Sequence, residues 1–154
     1  MKNKGISEII ELAKQYKICN EWYLKMKSNP SWENLCKMYF KGSDWSEERD
    51  FPPLEIVRKY KDEVRPFGLL SDEIHNDLLS SCYEIDDIKR IALFGNSDAS
   101  ISVGGYEVVQ IIVRHNSRLK IKATENAIVM VDILDSANVD IEKLDKAKII
   151  IYKK

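Results

Sequence analysis

From residue 95 onward the sequence repeats itself every 20 residues. Gly95-Asn96-Ser97, His115-Asn116-Ser117 and Asp135-Ser136-Ala137 align under one another. Ile101, Ile121 and Ile141 then share a column, as do Val109, Val129 and Ile149, and Ile111, Val131 and Ile151. Like residues stacked at a fixed period are the signature of a solenoid, in which each repeat buries its apolar side chains only against its neighbours.

Each unit reads as a turn, a short strand, a second turn and a long strand. The short strands are expected at 99–103, 119–123 and 139–143. They alternate with period two: Ala99/Leu119/Val139 and Ile101/Ile121/Ile141 face inward, while Ser100/Lys120/Asp140 and Ser102/Lys122/Glu142 face solvent. Parallel stacking would set Lys120 beside Asp140 and Lys122 beside Glu142.

The long strands, expected at 107–113, 127–133 and 147–153 with 88–94 as a fourth rung, are largely apolar on both sides. Such a strand is covered on both faces. One face is the solenoid interior. The other, carrying Val108, Ile112, Ile128, Met130, Ile150 and Tyr152, calls for a cover, either the N-terminal helices or a second copy of the chain. The Asn96/Asn116 and Ser97/Ser117 columns read as ladders that satisfy turn backbone groups. Gly104-Gly105 and Asp145-Lys146 also suit two-residue hairpin turns, so an antiparallel β-meander is the rival fold. Column identity among the turn residues favours the solenoid. Lys143, Lys153 and Lys154 would guard its last edge against pairing.

The preceding residues read as helical. Ser7 suits an N-cap, and Ile9, Leu12, Ala13, Tyr16, Cys19, Tyr23 and Met26 form an apolar stripe over about residues 7–27. Ser31 caps a second helix that Gly42 stops. Residues 43–53 read as an acidic loop bearing Trp45 and Phe51, and Pro53 opens a third helix. The organisation expected is α+β: a three-helix unit over residues 1–65, an acidic, irregular connector over 66–87 with a short helix from Ile74 to Leu79, and about three solenoid coils over 88–154.

Charge excludes some functions. Residues 1–84 carry 13 basic and 15 acidic side chains and residues 85–154 carry 11 and 10, so neither part has the basic excess of a dedicated nucleic-acid binder. Arg58, Lys59, Lys61 and Arg65 cluster near the end of the third helix, but Glu55, Asp62 and Glu63 are interleaved with them. No run of about 18 apolar residues suggests a membrane span, and the N-terminus lacks the apolar core of a secretory leader. Cys19, Cys36 and Cys82 have no metal-site spacing and read as free thiols in a reducing cytoplasm. His75 lies among carboxylates with no nucleophile nearby in sequence, and His115 lies in a repeat turn. No catalytic residue, cofactor or metal site is therefore expected. The residues that suit contact with a protein partner are Trp45 and Phe51 on the acidic loop, and Arg114, His115, Arg118 and Lys120 on the middle coil, with Lys122 beside them.

The segments Leu35-Cys36-Lys37-Met38-Tyr39-Phe40-Lys41-Gly42-Ser43-Asp44-Trp45, Phe51-Pro52-Pro53-Leu54-Glu55 and Phe94-Gly95-Asn96-Ser97 carry a resemblance. The chain resembles small uncharacterised proteins of prophages and other mobile elements in Bacteroidetes-type bacteria, which pair a helical head with a repetitive β tail. The resemblance implies a mobile-element origin and brings no catalytic residues. The function expected is a non-enzymatic interaction protein, an inhibitor of a host defence or nucleic-acid-processing complex of the anti-CRISPR kind. The alternative is a structural module that homodimerises or caps a phage component. A carbohydrate-active β-helix fits less well, since the coils are few and lack a carboxylate cluster.

Overall fold

A computed structural model of the chain describes residues 2–154, with side chains from Lys4 onward. Met1 and the side chains of Lys2 and Asn3, on which the reading of the N-terminus partly rests, lie outside the described residues. The chain forms two compact units, divided between Phe67 and Gly68.

The first unit holds six helices among the described residues, where three were expected. They are α1 (Lys2–Gln15), α2 (Asn20–Ser28), α3 (Trp32–Lys41), α4 (Ser43–Arg49), α5 (Leu54–Lys59) and α6 (Lys61–Val64). Helix α1 starts ahead of Ser7 and stops well before residue 27. Lys17 turns into the left-handed region at φ 65°. The Lys17 N–H donates to Lys14 O at 3.0 Å and the Ile18 N–H to Ala13 O at 3.1 Å, which closes the helix as a Schellman motif. That position usually holds glycine, so the apolar stripe runs through it without announcing a stop.

Ser31 caps α3 as expected, its Oγ accepting the Asn34 N–H at 3.1 Å. Trp32, Leu35, Cys36, Met38, Tyr39 and Phe40 of α3 are buried. Gly5 of α1 lies against Trp32 and Tyr60 so closely that an added Cβ would fall 2.6 Å from the Tyr60 ring. The expected loop 43–53 is mostly helix α4, ended by Asp50 in the left-handed region.

The second unit is a parallel β-solenoid of two sheets and about four turns. Its strands are β1 (Leu69–Ser71), β2 (Ile74–His75), β3 (Tyr83–Ile85), β4 (Ile88–Phe94), β5 (Asp98–Val103), β6 (Val108–Val113), β7 (Arg118–Ala123), β8 (Ile128–Ile133), β9 (Asn138–Lys143) and β10 (Lys148–Lys153). One sheet has the order β1-β4-β6-β8-β10, with β3 antiparallel on β4; the other has the order β2-β5-β7-β9. Successive rungs from β4 onward pair in parallel at the repeat offset: Ile91 with Ile111, Ile111 with Val131, Val131 with Ile151. This excludes the meander.

An additional turn precedes the three expected coils. Residues 68–87 include β1 and β2, which pair in parallel with β4 and β5, rather than an irregular connector with a helix at 74–79. The offset there is 23 to 24 residues, because a 3-10 turn (Leu78–Ser81) and β3 are inserted, so this turn escapes the 20-residue alignment.

The interior is the inward columns: Leu70, Ile91, Leu93, Ala99, Ile101, Val109, Ile111, Leu119, Ile121, Val129 and Val131 are all buried together. Each corner needs one residue with positive φ. From Gly95 onward glycine fills two of these places, Gly95 and Gly105, and His115, Glu125, Asp135 and Asp145 fill the others at φ 57–60°. A side chain in that conformation costs on the order of 1 kcal/mol. Here each such side chain has compensating work. The His115 Nδ1 accepts the Gly95 N–H at 3.0 Å, Asp135 Oδ2 accepts the His115 N–H at 2.9 Å, Glu125 Oε1 accepts the Gly105 N–H at 3.1 Å, and Asp145 Oδ2 accepts the Glu125 N–H at 3.0 Å. Each of these four side chains thus binds the backbone of the corner one coil earlier. Ser117 adds a further rung, donating to Gly95 O at 3.1 Å and accepting the Ser97 N–H at 3.3 Å.

Candidate functional site

The second sheet presents its outer face to solvent. Its rows differ in charge from coil to coil. Strand β5 offers Asp98, Ser100 and Ser102; β7 offers Arg118, Lys120 and Lys122; β9 offers Asn138, Asp140 and Glu142. All three cations of β7 are exposed. Alternate residues of a strand are about 7 Å apart, so the row spans about 13 Å at fixed spacing. The parallel register sets Lys120 beside Asp140 and Lys122 beside Glu142, and Lys122 Nζ lies 3.6 Å from the Glu142 carboxylate. The face is therefore striped polar, basic and acidic, on a backbone held by ladders from both sides. Beside the basic row, Ser102, Gly104, Lys122 and Thr124 line a shallow recess.

The other expected contact residues divide. His115 is half-buried, its ring occupied by the Gly95 N–H. Arg114 is only 1% exposed, with its guanidinium carbon 5.9 Å from the centre of the Phe94 ring, so it does not belong to the open basic row. Phe51 is 5% exposed and packs edge-on against Tyr16 at 5.3 Å and Trp45 at 5.4 Å. It is a core residue of the helical unit rather than an exposed anchor. Trp45 is half-buried, with the Arg49 guanidinium 4.9 Å above its ring.

Burial falls from coil to coil along the outer face of the first sheet. Ala92 and Ile112 are fully buried, Val108, Ile128 and Met130 are half-buried, and Ile150 and Tyr152 are 41% and 50% exposed. The face is also less apolar than expected. Arg90 donates to the Gln110 side chain at 2.8 Å, and Asp132 occupies the rung between Ile112 and Tyr152.

The last coil shows a surface that column reading did not single out. Ile141, Leu144 and Ile151 are 40–48% exposed, although Ile101, Ile121 and Ile111 of the same columns are buried. Among the described residues no strand pairs with the outer edges of β9 and β10. The signal was present in the alignment: the inward columns run into the last coil, whose outer side meets no strand among the described residues.

His75, read among carboxylates, is held by two hydrogen bonds. His75 Nε2 lies 2.7 Å from Ser81 Oγ while its Nδ1 accepts the Asp77 N–H at 3.2 Å, which clasps the first turn. Burial pushes the thiols of Cys36 and Cys82 up to about 12, far from the thiolate that reacts or binds metal at neutral pH. Among the described residues no three His, Cys, Asp or Glu side chains are grouped to hold a metal ion, and no helix is long and apolar enough to cross a membrane. No protein-family model, curated protein or solved structure matches the chain.

Proposed function

We propose that this chain is a non-enzymatic protein-interaction module that works by occupying a partner's surface. The observation that carries the reading is the exposed row of Arg118, Lys120 and Lys122 on β7. Its spacing is set by backbone register rather than by flexible loops, so the backbone loses little ordering entropy on binding. The acidic row on β9 limits affinity for nucleic acid, whose binding rests on uncompensated basic charge. A protein surface with alternating acidic and basic stripes is the better complement. The setting that fits, from the resemblance of the sequence to mobile-element proteins, is an inhibitor of a host defence or nucleic-acid-processing complex in the bacterial cytoplasm.

Affinity capture from a bacterial lysate tests this. The parent chain recovers a stoichiometric protein, and the Arg118→Glu/Lys120→Glu variant, folded by circular dichroism, loses it. Recovery unchanged by that double charge reversal removes the basic row as the contact. A second reading, a structural module that assembles through its repeat, is favoured by the exposed apolar residues of the last coil.

A further inference from the structure

The last described coil shows side chains of the inward columns on its outer side. Ile141 and Ile151 belong to columns that are otherwise sealed, and Leu144 joins them at 48% exposure. Beside these side chains run two strand edges, β9 and β10, unpaired on their outer side among the described residues. Exposed edges of this kind invite pairing, and lysines on them suppress pairing with arbitrary strands. Lys143 and Lys153 stand at the inward columns of the two edges, so a partner must present small residues where these side chains arrive.

We propose that this end is the interface of a two-fold dimer, in which β9 of one copy pairs antiparallel with β10 of a second copy, and β10 with β9. The proposal rests on the assembly reading given above and names its partner. The two strands of the last coil run in opposite directions, so a two-fold axis lying between the sheets brings unlike strands together. The register that sets Glu142 opposite Lys148 then matches the inward side of the edge throughout, while on the outward side Asp140 meets Ile150 and Asn138 meets Tyr152. Ile141 meets Ile149, Val139 meets Ile151, Lys143 meets the small Ala147, and Lys153 meets the small Ala137. Side chains directly opposite in an antiparallel pair point to the same side, so inward residues meet inward ones and outward residues meet outward ones. The other two-fold arrangement, β9 against β9, sets Asp140 against itself or against Glu142 and is repulsive.

Size agrees with a specific but modest dimer. Two six-residue strands and the spacing of two packed sheets give an end of roughly 20 by 20 Å. Two such ends bury about 800–1,000 Å², just below the usual range for stable complexes. Strand-edge hydrogen bonds add to this, and a dissociation constant in the micromolar range is expected.

Sedimentation velocity on the full 154-residue chain across micromolar concentrations, with reductant present because Cys19 is exposed, tests the proposal. A reversible monomer–dimer equilibrium is expected. Ile151→Lys abolishes it. Glu142→Lys and Lys148→Glu each weaken it by about tenfold, the effect of two symmetry-related exposed ion pairs and the repulsions that replace them. The double swap Glu142→Lys/Lys148→Glu restores it, which no loss of folding would do. A chain that stays monomeric overturns the proposal, as does a dimer indifferent to Ile151→Lys or a double swap that fails to restore association. If the parent is monomeric and Ile151→Lys abolishes capture of a different protein, the second copy is overturned while the assembly reading stands.

Discussion

The Nδ1 atom of His115 accepts the backbone N–H of Gly95, 20 residues earlier in the chain, at 3.0 Å. The two residues hold the same corner in successive coils. The imidazole thus does for Gly95 what the Asp135 carboxylate does for His115. Replacing it tests whether these ladders contribute to stability. His115→Ala removes the acceptor, leaves the Gly95 N–H unsatisfied at a buried corner, and keeps a Cβ at positive φ. A loss of about 1–3 kcal/mol is expected by urea denaturation. His115→Asn supplies a side-chain oxygen and tolerates the left-handed region. It should stay within about 1 kcal/mol of the parent, the net worth of an ordinary hydrogen bond.

Lys17 offers the converse test. Its φ of 65° closes α1, and its backbone N–H is already bonded to Lys14 O. Lys17→Gly relieves the strain of a side chain in that conformation and should stabilise the helical unit by about 0.5–1 kcal/mol. Lys17→Val, β-branched, should destabilise it. Chemical denaturation of both variants reads the sign directly.

The column Ile101, Ile121, Ile141 supplies a graded experiment. Ile121 is 2% exposed between two coils, and its truncation to alanine should cost about 2–5 kcal/mol. Ile141 is 42% exposed at the end of the same column. Under conditions where the chain is monomeric, Ile141→Ala should cost less than about 1.5 kcal/mol, because most of its surface is never removed from water. Equal losses at the two positions would mean that the end is covered.

Acid stability carries a signature of Glu8. Its carboxylate accepts the Tyr60 hydroxyl at 2.7 Å and the Lys59 ammonium at 3.0 Å. The Tyr60 bond first, then the Lys59 bond, hold its pKa below the ordinary glutamate value. A lowered folded-state pKa adds stability above the unfolded-state pKa, and this contribution is lost as pH falls through the folded value. The thermal midpoint difference between the parent and Glu8→Gln should therefore be largest near neutrality and shrink as pH drops through the acidic range. A difference independent of pH would contradict the assignment.

The repeat made the solenoid legible because its columns report burial and register together. Ile101, Ile121 and Ile141 name one inward column, and the Lys122–Glu142 neighbours follow from the same alignment. The first turn was not legible, because its inserted 3-10 turn and β3 shift the period beside Leu69–Ser71. The break in the first helix was hidden because a lysine holds a backbone conformation that glycine usually marks. At the candidate site, Arg118 and Lys120 could be read as outward from alternation alone. Arg114 could not, since it lies in a corner where alternation is suspended, and the structure buries it. Phe51 was misread for a similar reason: an acidic stretch that looks like a loop folds as α4, and its aromatic neighbours close over Phe51.

The corner ladders give length and cross-section separate genetic control. Excising residues 115–134 would join Arg114 to Asp135, whose carboxylate would then stand where the His115 imidazole receives the Gly95 N–H. The inward columns would close up, isoleucine on isoleucine, with Ile101 meeting Ile141. Duplicating the same segment would extend the rod by one rung, about 4.8 Å. A lineage could thus change the reach of this protein in single steps of one strand spacing while the surfaces at its two ends stay as they are.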